Sequence, residues 1–171
     1  FYKKSVFDLK SAETFWLSET PDVVSLGWDA DCKRVCTRAN LINLEDGKEY
    51  CYYNTHLDHV GPKAQLNGIK LINESMKKYA EYPIILTGDF NVFPDNEVYA
   101  EVFLKDTRIA SGFTGKCSTY HGYGHYTDEE DVIIDYCFVS DNLTVKSYQV
   151  ATDKVDGKYV SDHYPVIAEI E

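Results

Sequence analysis

The sequence contains no long hydrophobic run. Hydrophobic residues make up 44% of its 171 positions, yet no stretch approaches the roughly 18 consecutive apolar residues of a membrane span. The sequence therefore predicts no membrane-spanning helix, and its length predicts a single domain over residues 1–171. A signal-peptide pattern is missing too, and we expect a cytoplasmic protein, although the opening FYKKSVFDLK already has the pattern of a strand inside a domain.

Positive charge is scarce as well. Lysine and arginine number 17 against 28 acidic residues, which gives a net charge of −11. A broad surface for long nucleic acids depends on basic side chains that neutralise phosphates, so the composition argues against one. A phosphate-bearing substrate is still compatible with this charge, because bound divalent cations reverse the local field.

The five cysteines form no C-x-x-C pair. Cys32 and Cys36 have a spacing that suggests half of a zinc site, but no second pair follows at ligand spacing. Buried free thiols are therefore the favoured interpretation of the cysteines.

Strand patterns outnumber helical patterns. Apolar residues recur at three- and four-residue steps over residues 62–80, which predicts the main helix, and a weaker helix capped by Asp95 is predicted near residues 96–104. Strands are predicted at residues 5–9, 15–17, 34–44, 48–55, 83–87, 132–139, 144–151 and 165–170. Because most consecutive strands lack an intervening helix, we predict an α/β layered sandwich with outer helices rather than a doubly wound parallel sheet.

Polar side chains follow several of these strands. In IILTGDFN, Asp89 and Asn91 are two residues apart and so face the same side of an extended backbone. YYNTHLDH places Asn54, His56 and Asp58 on one face in the same way. Taken alone, either motif is also typical of a turn or a solvated loop.

Two further motifs have the same character. Asp135 interrupts the apolar strand VIIDYCFVS, where a half-buried carboxylate needs a cation or a histidine as partner. SDHYPV supplies Asp162 and His163 just before the last strand. A sandwich can bring such strand ends to one edge, where oxygen and imidazole donors without a thiolate suit Mg²⁺ or Mn²⁺. This set can hydrolyse a phosphate ester: a held cation neutralises phosphoryl charge, one histidine takes a proton from water, and another steadies the phosphate.

The motifs NTHLDH, GDFN, IDYCFVS and SDHYPV, in that order, resemble the endonuclease/exonuclease/phosphatase superfamily, which includes pancreatic deoxyribonuclease. FWLSETP, GWDADCKRV and STYHG resemble a largely uncharacterised, mostly bacterial branch of it. The resemblance implies a four-layer α/β/β/α sandwich and a Mg²⁺- or Mn²⁺-dependent phosphoric ester hydrolase.

The resemblance also implies residue roles. Asp89 would orient or activate the attacking water, and Asn91 would hold the phosphate or a metal-bound ligand. Asp162 would bind or support the metal, so Asp162, Asp89 and Asn91 are the metal-site candidates. His163, paired with Asp135, would act as general base or as phosphate ligand.

His56 would stabilise the phosphoryl group in the transition state.

The family's metal-binding glutamate lies on an early strand that has no counterpart here, since Glu13 and Glu19 stand in the wrong context. Gln65 and Val160 stand where arginine and proline are common. The match therefore covers the C-terminal two-thirds of such a domain. We expect part of the N-terminal sheet to be lacking, and a second chain or a preceding segment to complete the fold.

Five residues are candidates for substrate binding: Asn54, Asp58, Arg34, Tyr120 and His121. The aromatic side chains in the loop at residues 112–131 could stack on a base, a sugar or a lipid headgroup, or cover the sandwich edge. Arg34 could meet a phosphate or make a surface ion pair.

Three functions follow from these observations. The first is a phosphodiesterase or phosphatase for a small or short substrate, favoured by the acidic balance. The alternative is a nuclease, endo- or exonuclease or deadenylase-like. The third is a catalytically incomplete fragment or binding module, because the glutamate is lacking.

Overall fold

The computed structural model describes residues 1–115, 117–127 and 130–171. The predicted loop at residues 112–131 thus includes three residues outside the described ones: Lys116, Asp128 and Glu129. The strands are β1 (Phe7–Trp16), β2 (Val35–Asn43), β3 (Glu49–His56), β4 (Ile84–Asp89), β5 (Lys105–Asp106), β6 (Asp135–Val139), β7 (Val145–Val150) and β8 (Val166–Ile170). The helices are α1 (Pro62–Lys77), α2 (Glu97–Glu101) and α3 (Thr107–Ala110), with a 3₁₀ turn at Gly122–Gly124.

The described strands form two sheets. The larger is six-stranded in the order β1-β2-β3-β4-β6-β5, and the smaller pairs β7 with β8. β3 and β4 run parallel and are joined through α1, whereas the other neighbouring strands are antiparallel. The predicted mixed α/β architecture is confirmed.

One face of the large sheet packs against α1. Alternation along β3 turns Tyr53 toward the helix, where it is fully buried with Ile69, Ile72 and Met76. Burying each such aliphatic side chain contributes about 1.5–3 kcal/mol. The opposite face, which carries Tyr52, looks toward β8 across a cavity of about 630 Å³. The polar ends of the strands therefore lie at the rim of this cavity.

Several element boundaries differ from the predictions. The two short strands expected at residues 5–9 and 15–17 are one continuous strand, β1, whose polar middle is exposed at the edge of the described sheet. The predicted cap Asp95 is wrong: the Asn96 side chain accepts the N–H of Val98 and begins α2. β5 and α3 were not predicted.

The strand expected at residues 132–139 begins only at Asp135. The Thr119 hydroxyl accepts hydrogen bonds from the N–H groups of Ile134 and Asp135. The residues before Asp135 therefore bond to a loop, and the chain joins the sheet only from Asp135 onward. Among the described helices, none has the length and apolar character needed to cross a membrane.

Candidate active site

Three of the predicted residues lie side by side on neighbouring strands. His56 ends β3, Asp89 ends β4 and Asp135 begins β6, and the strand register pairs His56 with Asp89 and Asp89 with Asp135. Because β6 is antiparallel to β4, its start meets the ends of β3 and β4 at one sheet edge. Residues that pair in register project from the same face, so the three side chains converge.

Distances confirm this convergence on the Asp89 carboxylate. Asp89 Oδ2 lies 3.2 Å from Nε2 of His56 and 3.8 Å from Nε2 of His163. His163 Nδ1 lies 2.8 Å from Oδ2 of Asp135, so a direct hydrogen bond joins the second imidazole to the second carboxylate. Ligand atoms of Asp89, Asp135 and His163 all lie within 4.8 Å of one another, a spacing that a shared metal ion can bridge.

The segment at Thr119 and Tyr120 holds both members of the Asp135–His163 pair. The Thr119 hydroxyl accepts the N–H of Asp135 at 3.0 Å, and its carbonyl accepts the N–H of Tyr164 at 2.8 Å. Tyr120 forms a β-bridge with His163, and its ring lies edge-on to the imidazole with 4.8 Å between ring centres. Sequence reasoning missed Thr119, for which the STYHG motif was the available signal.

The turn after β4 places Asn91 beside Asp89. Asp89 Oδ1 accepts the Asn91 N–H at 2.9 Å, and Asn91 adopts the left-handed conformation (φ 52°) that asparagine tolerates. The Asn91 side-chain amide donates to the Leu57 carbonyl at 3.0 Å, which leaves its oxygen as the atom it can offer a ligand. Phe90 between them is fully buried and anchors the turn.

The two imidazoles differ electrostatically. Burial lowers the pKa of His163, but the hydrogen bond and charge of Asp135 outweigh burial and raise that pKa above its usual value. Burial also lowers the pKa of His56, and there the nearby Asp89 carboxylate does not compensate for it. His163 is thus the stronger base of the two, and His56 is the imidazole that stays neutral at physiological pH.

Asn54 and Asp162 lie close to this group. Asn54 is exposed on the rim of the 630 Å³ cavity and donates to the Thr87 hydroxyl at 2.9 Å. The Asp162 carbonyl accepts the N–H groups of His121 and Gly122, which ties the loop before β8 to the aromatic loop. Within the described part of the chain, Asp162 is outside the ligand group of Asp89, Asp135 and His163.

Asp58 lies beneath the surface, with 2% of the residue exposed. Burial by itself would raise the pKa of its carboxyl group, but backbone N–H donors outweigh burial and lower that pKa to about 2. These donors are Gly61, Cys32, Val60 and Asp31. Asp58 therefore links two loops through hydrogen bonds to their backbone N–H groups, and its carboxylate oxygens are occupied by these bonds.

Arg34 and His121 also have protein partners. Arg34 Nε lies 3.8 Å from Asp58 Oδ1, which corresponds to the predicted ion-pair alternative. His121 is 1% exposed and packs against the rings of Tyr159 and Tyr164, each 4.1 Å away between ring centres. His121 is thus buried among tyrosine rings, whereas its neighbour Tyr120 contacts His163.

No protein-family model matches the sequence. Among curated proteins, the chain is 27% identical over 177 residues to an uncharacterised protein of Acanthamoeba polyphaga mimivirus. That match covers 91% of this chain and 63% of the viral protein, so the chain spans less than two thirds of the curated relative.

Solved structures give stronger matches. A mannosyl-6-phosphatase of Bacteroides thetaiotaomicron is 35% identical with a TM-score of 0.92, over 100% of this chain and 69% of that one. An endonuclease/exonuclease/phosphatase of Bacteroides vulgatus is 33% identical with a TM-score of 0.93, over 100% of this chain and 68% of that one. These likenesses confirm the predicted α/β sandwich class.

Proposed function

Since the chain belongs to the endonuclease/exonuclease/phosphatase family, we propose that it hydrolyses small phosphate monoesters, with sugar phosphates as the substrate class. The relative at 35% identity carries the name of a mannosyl-6-phosphatase, which supports a phosphorylated hexose as substrate. The net charge of −11 supports a small substrate over a long nucleic acid.

The observation that carries the proposal is the position of His163 between two carboxylates. Asp135 accepts a hydrogen bond from Nδ1, which fixes the tautomer and leaves Nε2 without its proton. The distance from Nε2 to Asp89 Oδ2 is 3.8 Å, which is longer than a direct hydrogen bond. At this distance the imidazole and the carboxylate can both contact the same water molecule. The raised pKa of His163 makes it an effective acceptor for the proton of an attacking water.

Asp89, His56 and Asn91 complete the site on the other side. Asp89 orients the water by accepting one of its hydrogens, while the neutral His56 imidazole donates to the phosphoryl oxygens as negative charge develops on them. Asn91 offers its amide oxygen to the same region, because its amide nitrogen is held by the Leu57 carbonyl.

The residues fit a hard divalent cation. Asp89 and Asp135 are half-buried carboxylates in register on adjacent strands, and an ion that binds beside both relieves their mutual repulsion. We propose Asp89 as the central ligand for Mg²⁺ or Mn²⁺, with Asn91 and Asp162 as the further ligands that the resemblance implies. When bound, such an ion neutralises charge on the phosphoryl oxygens.

The test is an assay of the purified protein with Mg²⁺ on mannose 6-phosphate, bis-p-nitrophenyl phosphate and single-stranded DNA, beside an Asp89→Asn variant. We expect phosphate release from the monoester to be fastest and to be lost in Asp89→Asn. Equal release by wild type and variant would falsify the proposal. Preferred cleavage of DNA would replace it with the nuclease alternative, and a lack of turnover on every substrate would favour the binding module.

A further inference from the structure

A second group of metal-ligating side chains lies on the two loops that Asp58 fastens. Asp31 and Cys32 belong to the loop before β2, and His59 belongs to the loop between β3 and α1. One ligand atom from each of the three lies within 4.8 Å of the other two. We propose that Asp31, Cys32 and His59 bind a zinc-type divalent cation at a site separate from the catalytic one.

The distances suit a tetrahedral ion. Asp31 Oδ2 lies 3.8 Å from Cys32 Sγ and 3.9 Å from His59 Nε2. Zinc bonds of about 2.0–2.3 Å at tetrahedral angles place neighbouring ligand atoms about 3.3–3.6 Å apart. Side-chain rotations that bring the ligand atoms closer together by up to about 1 Å therefore close the group around an ion, since all three atoms lie within 4.8 Å of one another. Solvent supplies the fourth ligand because Asp31 and His59 are exposed.

The donor types distinguish this site from the catalytic one. Thiolate, imidazole and carboxylate are the zinc ligands of proteins, whereas Mg²⁺ takes oxygen donors almost alone. The catalytic group contains carboxylates and an imidazole but no sulfur. A thiophilic ion therefore prefers the site at Cys32, and Mg²⁺ prefers the site at Asp89.

The buried Asp58 carboxylate holds the ligands in place before an ion binds. It accepts N–H groups from Asp31 and Cys32 on one loop, at 3.2 and 3.0 Å. It also accepts those of Val60 and Gly61, which follow His59 on the other loop, at 3.0 and 2.8 Å. Because the backbone beneath all three ligands is already fixed, binding orders only their side chains.

Arg34 opposes binding. Its Nη2 lies 3.4 Å from His59 Nδ1, so the imidazole accepts from the guanidinium through Nδ1 and carries its own proton on Nε2. Metal coordination by Nε2 moves that proton to Nδ1, which breaks the contact with Arg34. An Arg34→Gln substitution therefore tightens binding of the ion.

Cys32 provides the readout. All five cysteines are free thiols within the described residues; Cys36, Cys51, Cys117 and Cys137 are buried, and Cys32 is half-exposed. Co²⁺ substitutes for Zn²⁺ in such sites and gives an ultraviolet charge-transfer band only when a thiolate binds it. A band from this protein therefore reports on Cys32.

The experiment titrates the purified, chelator-treated protein with Co²⁺ and follows that band, with Zn²⁺ added afterwards as competitor. We expect a one-to-one band that Zn²⁺ removes. Cys32→Ser should abolish it, and His59→Gln should weaken Co²⁺ binding by about tenfold or more. Asp89→Asn is the matched control and keeps the band, since it changes the catalytic group alone.

A second measurement follows alkylation of Cys32 by iodoacetamide, read by peptide mass spectrometry. Zn²⁺ should slow the reaction by about tenfold or more, EDTA should reverse the protection, and Arg34→Gln should lower the Zn²⁺ concentration required. A band that persists in Cys32→Ser, or an alkylation rate that Zn²⁺ leaves unchanged in a folded protein, overturns the proposal.

Discussion

The carboxylate of Asp135 lies 2.8 Å from Nδ1 of His163, although 28 residues separate the two in the chain. Asp135 begins β6 of the large sheet, and His163 stands in the loop that leads into β8 of the small one. The contact therefore joins the two sheets and sets the direction in which the imidazole faces. A change at Asp135 should act on catalysis through His163.

Asp135→Asn should lower kcat by about 10²- to 10⁴-fold and leave KM nearly unchanged. The amide keeps the shape of the side chain but cannot stabilise the imidazolium, and it allows His163 to adopt the wrong tautomer. Steady-state kinetics on mannose 6-phosphate with Mg²⁺ measure this, with thermal unfolding as the check on folding. Activity within threefold of wild type would show that the pair is structural.

Thr119→Val should destabilise the protein by about 2 kcal/mol, because it removes the acceptor of two partly buried N–H groups. Thr119 is fully buried, and its hydroxyl accepts the N–H groups of Ile134 and Asp135 at 3.0 Å each. Thr119→Ser keeps the oxygen and should lose much less stability. Urea unfolding of the two variants tests this, and a Thr119→Val variant at least as stable as Thr119→Ser would mean that the two N–H groups do not depend on the hydroxyl.

The strand-end motifs were visible in the sequence because they depend on local patterns. An apolar run followed by Asp89 and Asn91 marks where a strand leaves the core, and the order of motifs along the chain identified the family. The strands predicted at residues 34–44 and 48–55 correspond to β2 and β3, which pair as a hairpin whose turn contains Gly47.

Other features depend on contacts between distant segments and could not be predicted. Asp58 was a substrate-binding candidate because it shares a face with His56. In the structure it is buried, and its oxygens accept hydrogen bonds from four backbone N–H groups. His121 belongs to an aromatic loop, and only the structure shows it packed against two tyrosine rings. The spacing of residues in the sequence predicts which face of a strand a side chain lies on. What that side chain contacts depends on the segments that pack against it, which the sequence pattern does not show.

Gly88→Ala should destabilise the protein strongly and lower activity with it. A Cβ at Gly88 would lie 2.1 Å from the Thr55 carbonyl oxygen, so β3 and β4 must separate beside His56 and Asp89. Gly68→Ala in α1 is the matched control: its Cβ meets nothing closer than 3.5 Å, and alanine favours a helix over glycine by about 1 kcal/mol.

The two alanine substitutions should therefore change the unfolding temperature in opposite directions. Thermal unfolding should show Gly88→Ala below wild type and Gly68→Ala at or above it. A Gly88→Ala variant that unfolds at the wild-type temperature would mean that the two strands approach less closely than the structure shows.

Chelation should abolish hydrolysis, and Mg²⁺ or Mn²⁺ should restore it. The same ions should raise the unfolding temperature of wild type, because a ligand that binds only the folded state stabilises it. Asp89→Asn should lose this stabilisation along with activity. Full activity after exhaustive chelation, or equal stabilisation of both proteins by Mg²⁺, would contradict a catalytic ion at Asp89.

Asp58→Asn should make stability less dependent on pH below neutrality. The pKa of Asp58 is lowered to about 2 in the folded protein, below the value of about 3.9 for an unfolded chain. A depressed carboxyl pKa stabilises the folded state fully above about pH 4, and this contribution fades as the pH falls toward 2. For a shift of this size the contribution is on the order of 2 kcal/mol. Urea unfolding at pH 7, 5 and 3 should therefore show a gap between wild type and Asp58→Asn that narrows at pH 3. A gap of constant size would mean that the variant acts through altered packing, since the pH-dependent part of the gap comes from the stronger hydrogen bonds of the ionised carboxylate.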